Sequence, residues 1–95
     1  MDATDSHIRK ALATLSIERA LLEIGKPVFD EVSHALYNDY ECFIPDCFDH
    51  PEYLRKVLKD LFGSAHSNIV QSIHENLREF ATQQPIQEFL KAINE

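Results

Sequence analysis

The chain has no tryptophan, only two glycines and only two cysteines in 95 residues, and each shortage removes a class of function. Gly25 and Gly63 stand far apart, so no glycine-rich phosphate loop exists; no nucleophile elbow or metalloprotease helix motif occurs either. Two cysteines in such a chain are expected as reduced thiols rather than as a disulfide scaffold. No apolar run approaches the roughly 20 residues that a bilayer span requires. The opening Met1-Asp2-Ala3-Thr4-Asp5 is acidic and polar, unlike a signal or transit peptide. A cytoplasmic location without membrane contact is the expectation.

The sharpest absence is local. Residues 27–54 contain no lysine or arginine, but they hold seven acids: Asp30, Glu31, Asp39, Glu41, Asp46, Asp49 and Glu52. Nine acids face nine bases in the rest of the chain, so the whole net charge of −7 belongs to this window. Cys42, Cys47, His34, His50 and three of the four prolines lie there too. A pI near 5.1 argues against nucleic-acid binding, which needs clustered Lys and Arg to neutralise phosphates. The one basic group, Arg55-Lys56-Lys59, is short and reads as the solvated face of a helix.

What is present is an ordinary globular composition, 44% apolar and 26% charged, enough for one domain. Apolar residues recur with helical spacing throughout, and no stretch of comparable length alternates with period two. Five helices are expected. The first covers 7–24 with Asp5 or Ser6 as N-cap. The second covers 27–40 with Val28, Phe29, Val32, Leu36 and Tyr40 inward. A third begins at Pro51 behind an Asp49/Glu52 capping box and carries Tyr53, Leu54, Val57, Leu58, Leu61 and Phe62. The fourth covers 64–82, with Ile69, Val70, Ile73, Leu77 and Phe80 inward. The last starts at Pro85, with Ile86, Phe89, Leu90 and Ile93. Gly25 and Gly63 each follow a helical run, where a left-handed C-terminal cap belongs. The fold class is all-α, a compact antiparallel bundle of about five helices forming one domain over 1–95. Residues 1–16 read as an N-terminal helix or extension and 17–95 as the core bundle.

The first helix has two apolar faces. At about 100° per residue, Ile8, Ala11, Leu12, Leu15 and Leu22 fall on one side, and Ile17, Ala20, Leu21 and Ile24 on the other. A break near Ser16 would give two short helices. A single helix would pack Ile17 and its neighbours on the core. It would then offer Ile8, Leu12, Leu15 and Leu22 to a second copy of the chain or to a partner helix, since Ile8, Leu15 and Leu22 keep heptad spacing.

Cys42-x4-Cys47-x2-His50 is the one constellation with metal-ligand character, because thiolates and imidazole bind zinc. It lacks a clear fourth ligand: His34 falls opposite the apolar stripe of its helix, and Asp46 or Asp49 would supply oxygen instead. The competing reading makes both cysteines small buried hydrophobes among Phe43, Ile44 and Phe48. A Cys42–Cys47 disulfide would act as a redox switch. Nucleophilic catalysis is disfavoured, since a reactive thiolate needs a positive neighbour and this window offers only acids. No calcium-loop signature occurs.

From Ile17 onward the chain resembles a little-characterised family of small helical archaeal domains, described as output domains of signalling proteins. The residues that carry the likeness are Ile24-Gly25-Lys26-Pro27-Val28, Cys42, Asp46-Cys47 and Pro51-Glu52-Tyr53-Leu54. Val57-Leu58, Phe62-Gly63, Ile69-Val70 and Phe89-Leu90 add to it, so the resemblance covers about four-fifths of the chain. It implies a helical domain that occurs alone or behind a sensory module, and it supplies no catalytic residues.

Together these readings point to a non-enzymatic protein-interaction module, a signalling output or adaptor domain without a cofactor. Asp39, Glu41, Asp46, Asp49 and Glu52 would face a basic protein partner, and the first helix would support a homodimer. The alternative is a metal- or redox-responsive domain in which Cys42, Cys47 and His50 hold zinc. Residues 38–51 form the longest connection in the chain, and long connections are often functional.

Overall fold

In the computed structural model, which describes residues 3–95, the helical periodicity is realised as an all-α bundle. Helix α1 spans Ala3–Ile24, α2 Lys26–Tyr40, α3 Pro51–Phe62, α4 His66–Asn76 and α5 Gln84–Asn94. Three 3₁₀ turns, Ile44–Phe48, Gly63–Ala65 and Arg78–Phe80, fill the connections. The radius of gyration is 12.4 Å, the size expected for about 95 closely packed residues.

Helix α1 is continuous for 22 residues, so there is no break at Ser16. Its buried residues are Ala13, Ser16, Ile17, Ala20 and Leu21, a single face at i, i+3, i+4, i+7 and i+8. That face packs against α2, α4 and the 3₁₀ turn at Ile44–Phe48. Because the helix begins at Ala3, Asp5 and Ser6 stand inside it and do not cap it. Ile24, read as part of the inner face, is 57% exposed, because α1 ends there before any neighbour covers it.

The core collects Val32 and Leu36 from α2, Leu54, Val57 and Leu58 from α3, and Ile69, Val70 and Ile73 from α4. Leu77 and α5's Ile86, Phe89, Leu90 and Ile93 complete it. Full burial of each such side chain contributes about 1.5–3 kcal/mol, which is what turns these stripes into a fixed arrangement. Arg55 and Lys59 are not simply solvated. Arg55 donates to the Ala92 carbonyl at 2.9 Å and Lys59 to the Glu95 carbonyl at 2.8 Å. Two cations thus meet the free carbonyls at the end of α5, where the helix dipole favours them.

The turns differ from expectation in three places. Neither glycine takes the left-handed helical cap: Gly25 has φ 157°, ψ 157° and Gly63 has φ 57°, ψ −131°. Both are conformations that a side chain disfavours. Gly25 closes α1 through its N–H to the Leu21 carbonyl and opens α2 by accepting from Val28 and Phe29. The left-handed residue is instead Glu41, with φ 54° and ψ 38°, whose N–H meets the Tyr37 carbonyl at 2.8 Å. The stretch read as one helix over 64–82 is also divided. Leu77 leaves helical geometry at φ −102°, ψ 7°, and the 3₁₀ turn after it brings Phe80 and Ala81 back onto the core. Finally, the Asp49/Glu52 capping box does not form. His50 is the N-cap of α3 without a side-chain cap, so Asp49 stands one residue too early for the box, and its carboxylate meets Lys10 instead.

Candidate interaction surfaces

The outer face of α1 follows from its inner one. With Ile17 and Leu21 fixed in the core, residues at seven-residue spacing on the other side are turned outward. Ile8 is 52% exposed, Leu15 56% and Leu22 49%. Leu12 departs from this set: it is partly buried and packs against the core, because it lies toward α4 and the turn after it. Leu15 is a ridge between two hollows. On one side Lys10, Ala11, Thr14 and Pro45 line a shallow apolar groove of about 660 Å³. On the other, Leu12, Arg19, Asn76 and Phe80 line a cleft of about 470 Å³. Within the second cleft the Asn76 amide donates to the Ser16 carbonyl at 3.1 Å, which fixes α4 against α1.

The acidic connection is ordered and largely occupied by its own structure. Ile44 and Cys47 are buried, and Phe48 packs on Phe89 with ring centroids 5.7 Å apart. Asp46 accepts the Phe43 N–H at 2.9 Å, closing the 3₁₀ turn. Asp49 takes Lys10 from α1 at 3.0 Å. Glu52 lies 3.5 Å from His50 Nδ1. The imidazole of His50 stacks on Tyr53, and Tyr53 stacks on Tyr40 at 4.2 Å with only 5° between the rings. Of the five carboxylates read as partner-facing, Asp39 and Glu41 are exposed and make no ion pair among the described residues, while the other three have intramolecular roles.

The cysteines are placed as packing residues. Cys42 donates weakly to the Tyr40 carbonyl, and buried Cys47 approaches the Phe43 carbonyl. Burial pushes the Cys47 thiol up to about 12, with Cys42 and Asp46 adding to the effect. Burial also raises Cys42, helped by Asp46 and Glu52. Both thiols therefore hold their protons at neutral pH, the opposite of what a nucleophile needs. Among the described residues no three His, Cys, Asp or Glu side chains are grouped as they would be around a metal ion, Cys42, Cys47 and His50 included. Both thiols are free.

One feature escaped the periodicity. Tyr37 and Phe43 are 54% and 63% exposed and form a tilted aromatic pair, with centroids 5.7 Å apart and 40° between the planes. Tyr37 is seven residues after Asp30, on the polar side of α2, and that displacement from the apolar stripe was its only signal in the sequence. No described helix is long and apolar enough to cross a membrane. No family model matches the chain, and neither does any curated protein or solved structure compared with it.

Proposed function

We propose that the chain is a non-enzymatic protein-interaction domain, acting as a signalling output or adaptor module through the outer face of α1. One observation carries this reading: Ile8, Leu15 and Leu22 are about half exposed, in heptad register, on a helix whose opposite face is fully committed to the core. A helix normally spends its apolar residues on one face, so a second ordered stripe calls for a second cover. The occupant that best fits the spacing is another copy of the chain. Two α1 helices packed antiparallel about Leu15 set Ile8 of one against Leu22 of the other, an isologous contact that closes at two subunits. The charge of α1 does not oppose this, because Arg9, Lys10 and Arg19 balance Asp5, Glu18 and Glu23 in its sequence.

The resemblance to signalling output domains supports an output or adaptor role, and the exposed Asp39 and Glu41 offer a basic partner a second point of contact. Size-exclusion chromatography with light scattering tests the α1 contact. Wild type is expected as a dimer of the 10.9 kDa chain and Leu15→Glu as a monomer of unchanged helicity. A wild-type monomer across the accessible concentration range overturns the self-association.

A further inference from the structure

The exposed Tyr37–Phe43 pair lies in a stretch of sequence that supplies seven carboxylates and no lysine or arginine. No lysine or arginine occurs within 27–54; Lys26 before it pairs with Asp30 at 3.2 Å, Arg55 after it donates to the Ala92 carbonyl at 2.9 Å, and Lys10 pairs with Asp49 at 3.0 Å. Glu41 stands between the two rings in the chain. Its left-handed backbone reverses direction directly after α2 and returns Phe43 to Tyr37. Glycine would hold that conformation without strain, and asparagine with little. A glutamate there puts an exposed carboxylate in the turn that links the two aromatic residues. Asp46 then fixes the Phe43 backbone through its 2.9 Å hydrogen bond, so the outer ring is held by an ordered turn.

We propose that Tyr37, Phe43 and Glu41 form a recognition site for an arginine side chain of a partner protein. This rests on the reading of the chain as an interaction domain, but it uses a surface distinct from the outer stripe of α1. The argument is complementarity. Aromatic faces attract a guanidinium through their quadrupole, most often arginine, whose planar group also stacks. The exposed Glu41 carboxylate in the turn between them, without an ion-pair partner, supplies the opposite charge and acceptors for the N–H donors. The tilt of 40° leaves the two rings from closing on each other as a filled stack. A purely apolar ligand would gain nothing from the surrounding acids, and an acidic one would be repelled. The site therefore selects a basic, arginine-bearing segment.

The probe is the peptide acetyl-Gly-Arg-Gly-Arg-Gly-amide, followed by amide chemical shifts of the ¹⁵N-labelled chain, with a citrulline-substituted peptide as the neutral isostere. Expected are saturable shifts centred on residues 37–46 with the arginine peptide and none with the citrulline peptide. Phe43→Leu, which keeps apolar bulk but removes the ring, should weaken binding roughly threefold, and Tyr37→Ala/Phe43→Ala roughly tenfold. Glu41→Gln should weaken it to a similar degree as Phe43→Leu. All three positions replaced in these variants are exposed, and circular dichroism checks that each variant folds. Absence of shifts at 37–46, equal shifts with citrulline, or wild-type affinity in Phe43→Leu overturns the proposal. Running the peptide on Leu15→Glu separates the two readings, since that variant should lose self-association and keep the arginine site.

Discussion

The Lys10 ammonium lies 3.0 Å from the Asp49 carboxylate, joining α1 to the acidic connection across 39 residues of sequence. A base from outside the acidic segment is thus folded against it, beside the anchoring of Ile44, Cys47 and Phe48 on the core. Both side chains remain more than a third exposed, so the pair is screened and its removal is expected to change stability by no more than about 1 kcal/mol. Its pH signature is more specific. The hydrogen bond to Asp49 and its charge raise the Lys10 pKa above the ordinary 10.5. The stabilisation is therefore fully present below that value and is lost as pH rises through the raised one. Comparing urea midpoints of wild type and Asp49→Asn should show a small difference at neutral pH that vanishes in strong alkali.

Cys47 gives an alkaline effect of the same sign on a larger scale. Its thiol is buried and pushed up to about 12, so the folded chain keeps a proton that the unfolded chain releases near 9. Ionisation then favours unfolding. Between those values stability should fall by about 1.4 kcal/mol per pH unit on account of this group alone. Cys47→Ala should flatten that limb while losing stability at neutral pH. With a thiol reagent at pH 8, Cys42 should react slowly and Cys47 only on the unfolding timescale, because neither presents a thiolate.

Gly25 joins α1 to α2 with no spacer, and only its backbone makes this possible. An ideal Cβ there would meet nothing closer than Pro27 Cδ at 3.6 Å, so space is not the obstacle. The obstacle is φ 157° with ψ 157°, a region that side-chain-bearing residues avoid. Gly25→Ala should therefore destabilise the chain by about 1–3 kcal/mol without altering its core, measured by urea denaturation.

The helices were legible because their apolar residues recur with helical spacing. Of the residues read as inward from Pro51 onward, Leu54, Val57, Leu58, Ile69, Val70, Ile73, Leu77, Ile86, Phe89, Leu90 and Ile93 are buried, and Tyr53, Leu61, Phe62 and Phe80 pack partly buried against them. The double face of α1 was legible for the same reason, although periodicity alone could not decide between a break at Ser16 and one continuous helix. What the sequence hid depends on distance or on backbone choice. Lys10 reaches Asp49 across 39 residues, and no local pattern announces that pairing. Glu41 takes a conformation for which glycine or asparagine is the usual signal. Leu12 and Ile24 were assigned by angle around the helix, but neighbours decided their burial: the junction with α4 covers Leu12, and the end of α1 uncovers Ile24. The aromatic pair required Phe43 to fold back on Tyr37, which follows only from the turn at Glu41.

The two faces of α1 should separate cleanly in experiment, because neighbouring residues on one helix serve different ends. Ile17 is 1% exposed and surrounded by core. Ile17→Ala removes buried methylene and methyl groups and leaves a cavity, so it should cost about 2–5 kcal/mol in urea unfolding at fixed chain concentration. Leu15 is 56% exposed, and its replacement by glutamate adds a charge that water can solvate. In the isolated fold Leu15→Glu should change stability by no more than about 0.5 kcal/mol. If copies associate through this face, wild type also gains stability as concentration rises, whereas Leu15→Glu does not. The measurement is therefore the unfolding midpoint of both proteins over a hundredfold range of concentration. A wild-type midpoint that climbs while the variant's stays level assigns the stripe to an interface. Two level midpoints would leave Leu15 as a side chain with no cover among copies of this chain.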